Sequence, residues 1–316
     1  MITKMATTLS PRLVRLATKP IVTRPTVAFT RVFVSRYSTS SKSDDIILTQ
    51  QIPAPGSGHV RVLQLNRPKA RNAISRELLE NLSSQVKSIA AENGNGPTRA
   101  LIVGSNVDAA FCAGADLKER ATMSPAETED FLLKLRSTFK ELAELQIPTI
   151  SSVSSMALGG GLELALCTHL RIFGSSSTVG LPETRLAIIP GAGGTYRLPG
   201  LIGIPRARDL ILTGRRVYGP EAYFMGLCDR LVEVLPEEAT QEGVAREKVL
   251  RESIKVALDI CEGGPIAIKQ ALIAVQGAAL GEISENAAYE GVIETEDRYE
   301  ALRAFSEKRK PAFKGR

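Results

Sequence analysis

Two glutamates stand apart from the other acids of this 316-residue chain, because each is set beside a cluster of glycines. Glu163 follows Gly159-Gly160-Gly161 and has Leu162, Leu164 and Ala165 around it. Glu183 stands between Pro182 and Thr184, in a stretch that runs through Leu186-Ala-Ile-Ile-Pro190 and closes on Gly191-Ala-Gly-Gly194. A carboxyl in apolar surroundings keeps its proton to higher pH, since burial disfavours the charged form. Two such groups facing one water could take a proton from it and deliver another to carbon. The other reading is that each is a buried acid satisfied by backbone N–H groups, and residue types alone leave both open. The glycines suggest what lies opposite. Without a Cβ, the chain lets a ligand oxygen approach the main chain, and a helix opening there presents unpaired N–H groups and a positive dipole end. From Gly159 the dinucleotide pattern G-x-G-x-x-G would need glycine at 164, where Leu164 stands, and no Gly-Lys-Ser/Thr occurs. The donors are therefore expected to face a carbonyl oxygen that gains negative charge rather than a pyrophosphate.

Other chemistries have little to stand on. The two histidines, His59 and His169, have no nucleophile or metal partner nearby in sequence and are read as structural. Cys112, Cys167, Cys228 and Cys261 are far apart with no paired spacing, which argues against zinc sites and disulfide scaffolds and suits a reducing compartment. No metal site is expected.

The elements that must position these groups alternate. His59–Leu65 reads as a strand. Ser75 can cap a helix carrying Leu78, Leu79, Leu82, Val86 and Ile89, which Asn93-Gly-Asn-Gly-Pro97 ends. Arg99–Gly104 is a buried-strand candidate leading into the small-residue turn Phe111–Leu117. Ser124-Pro-Ala-Glu127 is a capping box with proline at the first helical position, opening a helix with Phe131, Leu135, Phe139 and Leu142. A central strand after Pro148 passes through the three glycines into a helix; Leu170–Phe173 is a further strand. Residues 204–213 and 219–226 look helical, Asp229–Leu235 looks like a strand, and helical patterns follow. The sum is α/β architecture with a helical C-terminal appendage.

Charge is unevenly spread. The formal net charge is +6, from 40 Lys/Arg against 34 Asp/Glu. Eight of those cations (Lys4, Arg12, Arg15, Lys19, Arg24, Arg31, Arg36 and Lys42) fall in residues 1–43, which hold no acid, so the remaining 32 face all 34 acids. An Arg-rich, Ser/Thr-rich, acid-free leader without a compact apolar core is expected to be a mitochondrial transit peptide, processed near Arg36-Tyr37-Ser38, which places the protein in the mitochondrial matrix. No apolar run is long enough to span a membrane. The body gives no charge-based case for nucleic-acid binding. Ile74 to Glu92, with Arg76 and Lys87 against Glu77, Glu80 and Glu92, is a poor phosphate tracker, so RNA binding is expected to be weak and non-specific.

Phe111-Cys-Ala-Gly-Ala-Asp-Leu-Lys-Glu119, Ala157-Leu-Gly-Gly-Gly-Leu-Glu-Leu-Ala165 and Pro182-Glu-Thr-Arg-Leu-Ala-Ile-Ile-Pro-Gly-Ala-Gly-Gly-Thr195 resemble, in order, the three signature blocks of the enoyl-CoA hydratase/isomerase (crotonase) superfamily. The likeness runs from about residue 58 to Ala304–Lys310, which resembles the family's closing helix. It implies a spiral of repeated ββα turns over 44–237 and a helical region over 238–316 that assembles trimers, which pair into hexamers. It implies an oxyanion hole from the backbone N–H groups of Ala115 and Gly160 for an acyl-CoA thioester carbonyl, with Glu163 and Glu183 as the two catalytic acids. Ala113, Asp116, Leu117 and Lys118 match the segment lining CoA, and Tyr289 and Lys308 match C-terminal positions that approach it. The expected reaction is hydration of the α,β double bond of a short-chain enoyl-CoA with no cofactor, and a branched, carboxylated acyl group, 3-methylglutaconyl, is the first candidate. Arg120, Arg136 and Arg185 lie near the expected acyl pocket, and an exposed side chain is the expectation for each.

Three departures from the family pattern bear on the acyl group more than on the reaction: Ser154-Ser155 in place of Asn/Asp-Gly, His169 in place of Asp and Tyr196 in place of Gln. The competing readings are a general short-chain fatty-acid hydratase, a double-bond isomerase, a thioester hydrolase, an RNA-binding protein and a catalytically inactive paralogue. Retention of both glutamates argues against the last.

Overall fold

Strands that are apolar on both sides need a core on each face of their sheet. The structure, a computed structural model, describes residues 44–316 and the backbone of Ser38 and Thr39. Apart from those two positions, the segment read as a leader lies outside the described residues. Seven strands form one sheet in the order β1 (Ser38–Thr39), β2 (Ile47–Pro53), β3 (His59–Leu65), β4 (Thr98–Ser105), β5 (Thr149–Val153), β7 (Leu170–Gly174) and β10 (Arg230–Val232). The first two pairings are antiparallel and the rest parallel. A smaller sheet joins β6 (Met156–Leu158), β8 (Thr178–Gly180) and β9 (Arg216–Tyr218).

Side chains alternate across the large sheet as the strand period requires. Leu63, Leu65, Leu101, Val103, Val153 and Phe173 face one core, while Val60, Val62, Ala100, Ile102, Ile150 and Ile172 face the other. The first core is covered by α1 (Arg76–Ala90), which buries Leu78, Leu79, Leu82, Val86 and Ile89, and by α3 (Pro125–Ala143), which buries Phe131, Leu135, Phe139 and Leu142. The second is covered by α9 (Val244–Cys261) through Val249, Val256 and Ala257. Phe111, Phe139 and Phe173 are fully buried, and truncating one such ring to alanine costs roughly 3–5 kcal/mol.

Helix starts follow the expected caps. Ser75 accepts from Leu78 N (3.1 Å). At Ser124 both halves of the capping box form: Ser124 N donates to Glu127 Oε2 at 2.8 Å, and Glu127 N donates to Ser124 Oγ at 3.3 Å. Such a cap contributes about 1 kcal/mol. The stretch expected to form one central strand is two. It breaks at Ser154-Ser155, where the chain leaves the large sheet as β5 and enters the small one as β6. After β10 only helices follow, the longest being α9, then α10 (Pro265–Gln276), α11 (Glu282–Ile293) and α12 (Glu296–Ser306). No described helix is long and apolar enough to cross a membrane.

Candidate active site

Parallel strands leave their C-terminal ends open to loops, and ligand sites of open α/β sheets gather there. The loop after β4 and the turn after β6 meet at that end. The first is stitched down along its length. Asn72, fully buried, donates from Nδ2 to Ser105 Oγ (2.9 Å) and Phe111 O (3.0 Å) and accepts from Arg67 N (2.7 Å). Cys112 N donates to Met156 O and Leu158 N returns a bond to Cys112 O, both at 3.1 Å. Ile74 N donates to Gly114 O (2.7 Å) and Asp116 N to Ile74 O (3.1 Å). Because peptide groups alternate in direction along an extended segment, this bridge turns the Ala115 N–H away from Ile74 and toward the glycine turn.

Gly159 makes that turn with φ +52° and ψ −125°, and α4 (Gly160–Ala165) begins behind it. As the first helical residue, Gly160 has no intrahelical acceptor for its N–H. A Cβ built on Gly160 would stand 3.8 Å from Ala115 N, and one built on Gly114 would stand 3.4 Å from Gly160 N. The two N–H groups expected to pair are therefore neighbours on facing loops. At the far end of α4, Thr168 Oγ1 lies 2.9 Å from Ala165 O and from Ser151 Oγ of β5, which fixes the helix against the sheet.

The two glutamates prove unlike. Glu163, 3% exposed, receives Ala192 N–H and Gly194 N–H on the same Oε1, each at 2.8 Å. Burial raises its pKa, and those two amides, with Arg197 and Arg136 further off, oppose the rise by favouring the anion. Glu183 opens the 3₁₀ turn Glu183–Leu186 and is also buried. Its Oε2 has no hydrogen-bond partner, and its Oε1 lies 3.1 Å from where a Cβ on Gly159 would be. Burial pushes its pKa up to about 7, and the charge of Glu163 adds to the rise. Of the two readings left open by the sequence, the backbone-satisfied acid fits Glu163, and the proton-retaining acid fits Glu183.

That difference has a stability consequence. Glu183 binds its proton more tightly folded than unfolded, so its contribution to stability falls as pH rises from about 4.5 through about 7. Glu183→Gln carries no ionisable group and escapes the penalty. After discounting for solvent screening, the variant should be more stable than wild type by on the order of 1–3 kcal/mol at pH 8 and equal to it at pH 4, read from denaturant midpoints. An identical pH dependence in both proteins would show that Glu183 ionises normally.

Both acids line an open cleft of about 920 Å³, with Ala113, Ala115, Leu117 and Gly160 on its walls. Exposed Leu186, Ile188 and Ile189 form an apolar side. Asp116 and Lys118 are not among the lining residues: Asp116 caps α2 (Leu117–Arg120) and pairs with Arg67 at 3.2 Å, while Lys118 is exposed on that turn. Tyr289 on α11 and Lys308 beyond α12 are exposed and also outside the lining of this chain's cleft. Arg120 and Arg136 line it, whereas Arg185 donates to Thr213 O (2.9 Å) and does not. Of the three departures from the family pattern, Tyr196 lines the cleft, and Ser154-Ser155 marks the break between sheets. His169 is structural: Nδ1 lies 3.1 Å from Thr149 N and 2.8 Å from Thr149 Oγ1, and burial lowers its pKa to about 4. Sequence reasoning missed Asn72 and the amides of Ala192 and Gly194. The glycine run at 191–194 was the signal that something approaches the main chain there.

Beyond this pair of buried acids beside two facing backbone N–H groups, residues 56–316 match the enoyl-CoA hydratase/isomerase family, an acyl-CoA-processing class. The chain belongs to that family. It is 59% identical over 290 residues to an enoyl-CoA isomerase/hydratase of Zymoseptoria tritici, covering 91% of this chain and 94% of that one. It is 54% identical over 339 residues to the mitochondrial methylglutaconyl-CoA hydratase 1 of Pyricularia oryzae, covering 96% and 97%. Among solved structures, the enoyl-CoA hydratase of Bacillus anthracis superposes with a TM-score of 0.77 at 40% identity, over 86% of this chain and all of that one.

Proposed function

We propose that this protein is a mitochondrial hydro-lyase that adds water across the α,β double bond of 3-methylglutaconyl-CoA. The observation that carries the reaction is the pairing of Glu163, anchored by two amides, with Glu183, whose buried Oε2 is free. Glu163 accepts a proton from water as the oxygen bonds to the β carbon. The π electrons move toward the thioester, whose oxygen takes negative charge against the Ala115 and Gly160 N–H groups. Glu183 then gives its proton to the α carbon. One C=C π bond and one O–H bond of water are exchanged for a C–O and a C–H bond, and the proton left on Glu163 returns to Glu183 through solvent. No oxidation state changes overall, so the reaction calls for no flavin or nicotinamide, and the Ala115 and Gly160 N–H groups supply the polarisation of the thioester that a Lewis-acid metal would otherwise give. CoA enters as part of the substrate, with Ala113 and Leu117 beside it and Asp116, Lys118, Tyr289 and Lys308 assigned to it by resemblance alone.

The acyl group and the compartment are supported by the name of the Pyricularia relative and by the acid-free, Arg-rich residues 1–43. A homotrimer or dimer of trimers is supported by apolar side chains left open on the C-terminal helices, among them Val275 at 73% and Phe305 at 86% exposure. The second reading is double-bond isomerisation, since the Zymoseptoria relative's name gives both isomerase and hydratase.

Loss of enoyl-thioester absorbance across a substrate panel tests the reading. The expected order of kcat/KM places 3-methylglutaconyl-CoA above crotonyl-CoA by at least about tenfold, as a pocket built for a polar group discriminates against its absence, with a 3-hydroxyacyl-CoA as product. Preference for crotonyl-CoA would indicate a general fatty-acid hydratase, and a shifted double bond without added oxygen would indicate the isomerase.

A further inference from the structure

The cleft carries more positive charge than the reaction uses. Arg120, Arg136 and Lys140 line it together with Glu163 and Glu183. Two of the cations are engaged elsewhere: the Arg120 guanidinium lies 5.3 Å from the centre of the Phe131 ring, and Lys140 Nζ lies 3.9 Å from Glu144 Oε1. Arg136 differs. Its Nε donates to Gly191 O at 2.8 Å, which holds the guanidinium plane against the loop whose next amides, at Ala192 and Gly194, hold Glu163. Its Nη2 lies 4.0 Å from where a Cβ on Gly191 would stand, so the glycine leaves that side open. Among the described residues no carboxylate pairs with Arg136, and neither terminal amino group has a protein acceptor. It is also one of the two arginines whose charge acts on Glu163.

A guanidinium fixed through Nε and free at both Nη atoms presents the edge that fits a carboxylate with two parallel N–H···O bonds. Its place also separates it from the CoA phosphates. Those lie a pantetheine arm away from the thioester, whereas Arg136, exposed to solvent on the wall of the open cleft, shares that cleft with Glu163 and Glu183. An acyl tail ending in methyl would strip water from the cation without replacing it, and a carboxylated tail would replace that water with a charge-assisted pair.

We propose that Arg136 is the specificity-determining residue of this site and receives a terminal carboxylate on the acyl group, an assignment that rests on the hydratase reading above. The test uses the full chain and two thioesters that differ only in that carboxylate, glutaconyl-CoA and crotonyl-CoA. Arg136→Met should lose about 10- to 100-fold in kcat/KM on glutaconyl-CoA, mainly through KM. On crotonyl-CoA it should lose only what Arg136 gives Glu163 through its charge and the Gly191 loop, a loss common to both substrates, so the glutaconyl-to-crotonyl ratio of kcat/KM should fall by about tenfold or more. Arg136→Lys, which keeps the charge but not the fork, should fall between. Equal losses on both substrates would overturn the assignment and mark Arg136 as a support of the Gly191 loop. A matching loss of affinity for free CoA would overturn it in favour of a phosphate contact. If the wild type hydrates crotonyl-CoA but discriminates against glutaconyl-CoA, the carboxylate site falls while the hydratase reading stands. If neither is hydrated, both fall together.

Discussion

Glu163→Gln and Glu183→Gln each lose about 10²–10⁴-fold in kcat, the range for a positioned general acid or base, with CoA affinity and fold retained. The size of the loss is expected for either acid, and the separation between them lies in pH and isotope behaviour. Glu163 must be ionised to accept a proton from water, so its titration gives the acid limb of the kcat/KM profile. Glu183 must hold a proton to donate one, and with its pKa at about 7 it gives the alkaline limb. The two charges act on each other, so the limbs report the pair rather than two independent groups. In deuterated water the α hydrogen of the 3-hydroxyacyl product exchanges through Glu183. Glu163→Gln should therefore retain more α exchange than Glu183→Gln. A Glu183→Gln variant that exchanges the α hydrogen at the wild-type rate would reverse the assignment of the two acids. Because every addition of water needs both acids, the double variant should be little worse than the poorer single one.

What could be read from the sequence was whatever neighbours in the chain determine. Ser75 and Ser124 cap their helices because the accepting oxygen and the donating N–H are three residues apart. The faces of β3 and β4 follow from a period of two. The turn at Gly159 follows from glycines that stand together. What could not be read depends on partners far along the chain. Glu163 and the amides that hold it are 29 and 31 residues apart, so its anchoring is set by how β8 returns beside β6. Asn72 pins the loop after β4 through contacts 33 and 39 residues away. The break at Ser154-Ser155 is weakly marked, since two serines stand where the family has the turn pair Asn/Asp-Gly, and the two strands part because their pairing partners lie in different sheets. The place of Arg136 on the cleft wall belongs to the same category, for its anchor is Gly191 O, 55 residues on.

Gly114→Ala should lower kcat by roughly 10²–10³-fold although it removes no polar group. Gly114 adopts φ +95°, where an L side chain is strained, and a Cβ there would stand 2.8 Å from Leu158 O and 3.4 Å from Gly160 N. The loops carrying the Ala115 and Gly160 amides must then move apart. The loop after β4 is pinned by Asn72 and by its bridges to Ile74 and Ala157, so displacement concentrates at the contact between the loops. The backbone strain costs on the order of 1–3 kcal/mol in stability, which unfolding curves will show directly. The catalytic loss is separate. An oxyanion donor moved out of line forfeits roughly 3–4 kcal/mol of transition-state stabilisation, whereas binding through CoA is shared by ground and transition states and changes little. A conjugated dienoyl-CoA bound to the wild type should absorb further to the red than in water, because two N–H groups pull electron density toward the thioester oxygen; in Gly114→Ala the shift should shrink. A folded variant with the full spectral shift and near wild-type turnover would mean that Ala115 and Gly160 do not act together on the thioester oxygen.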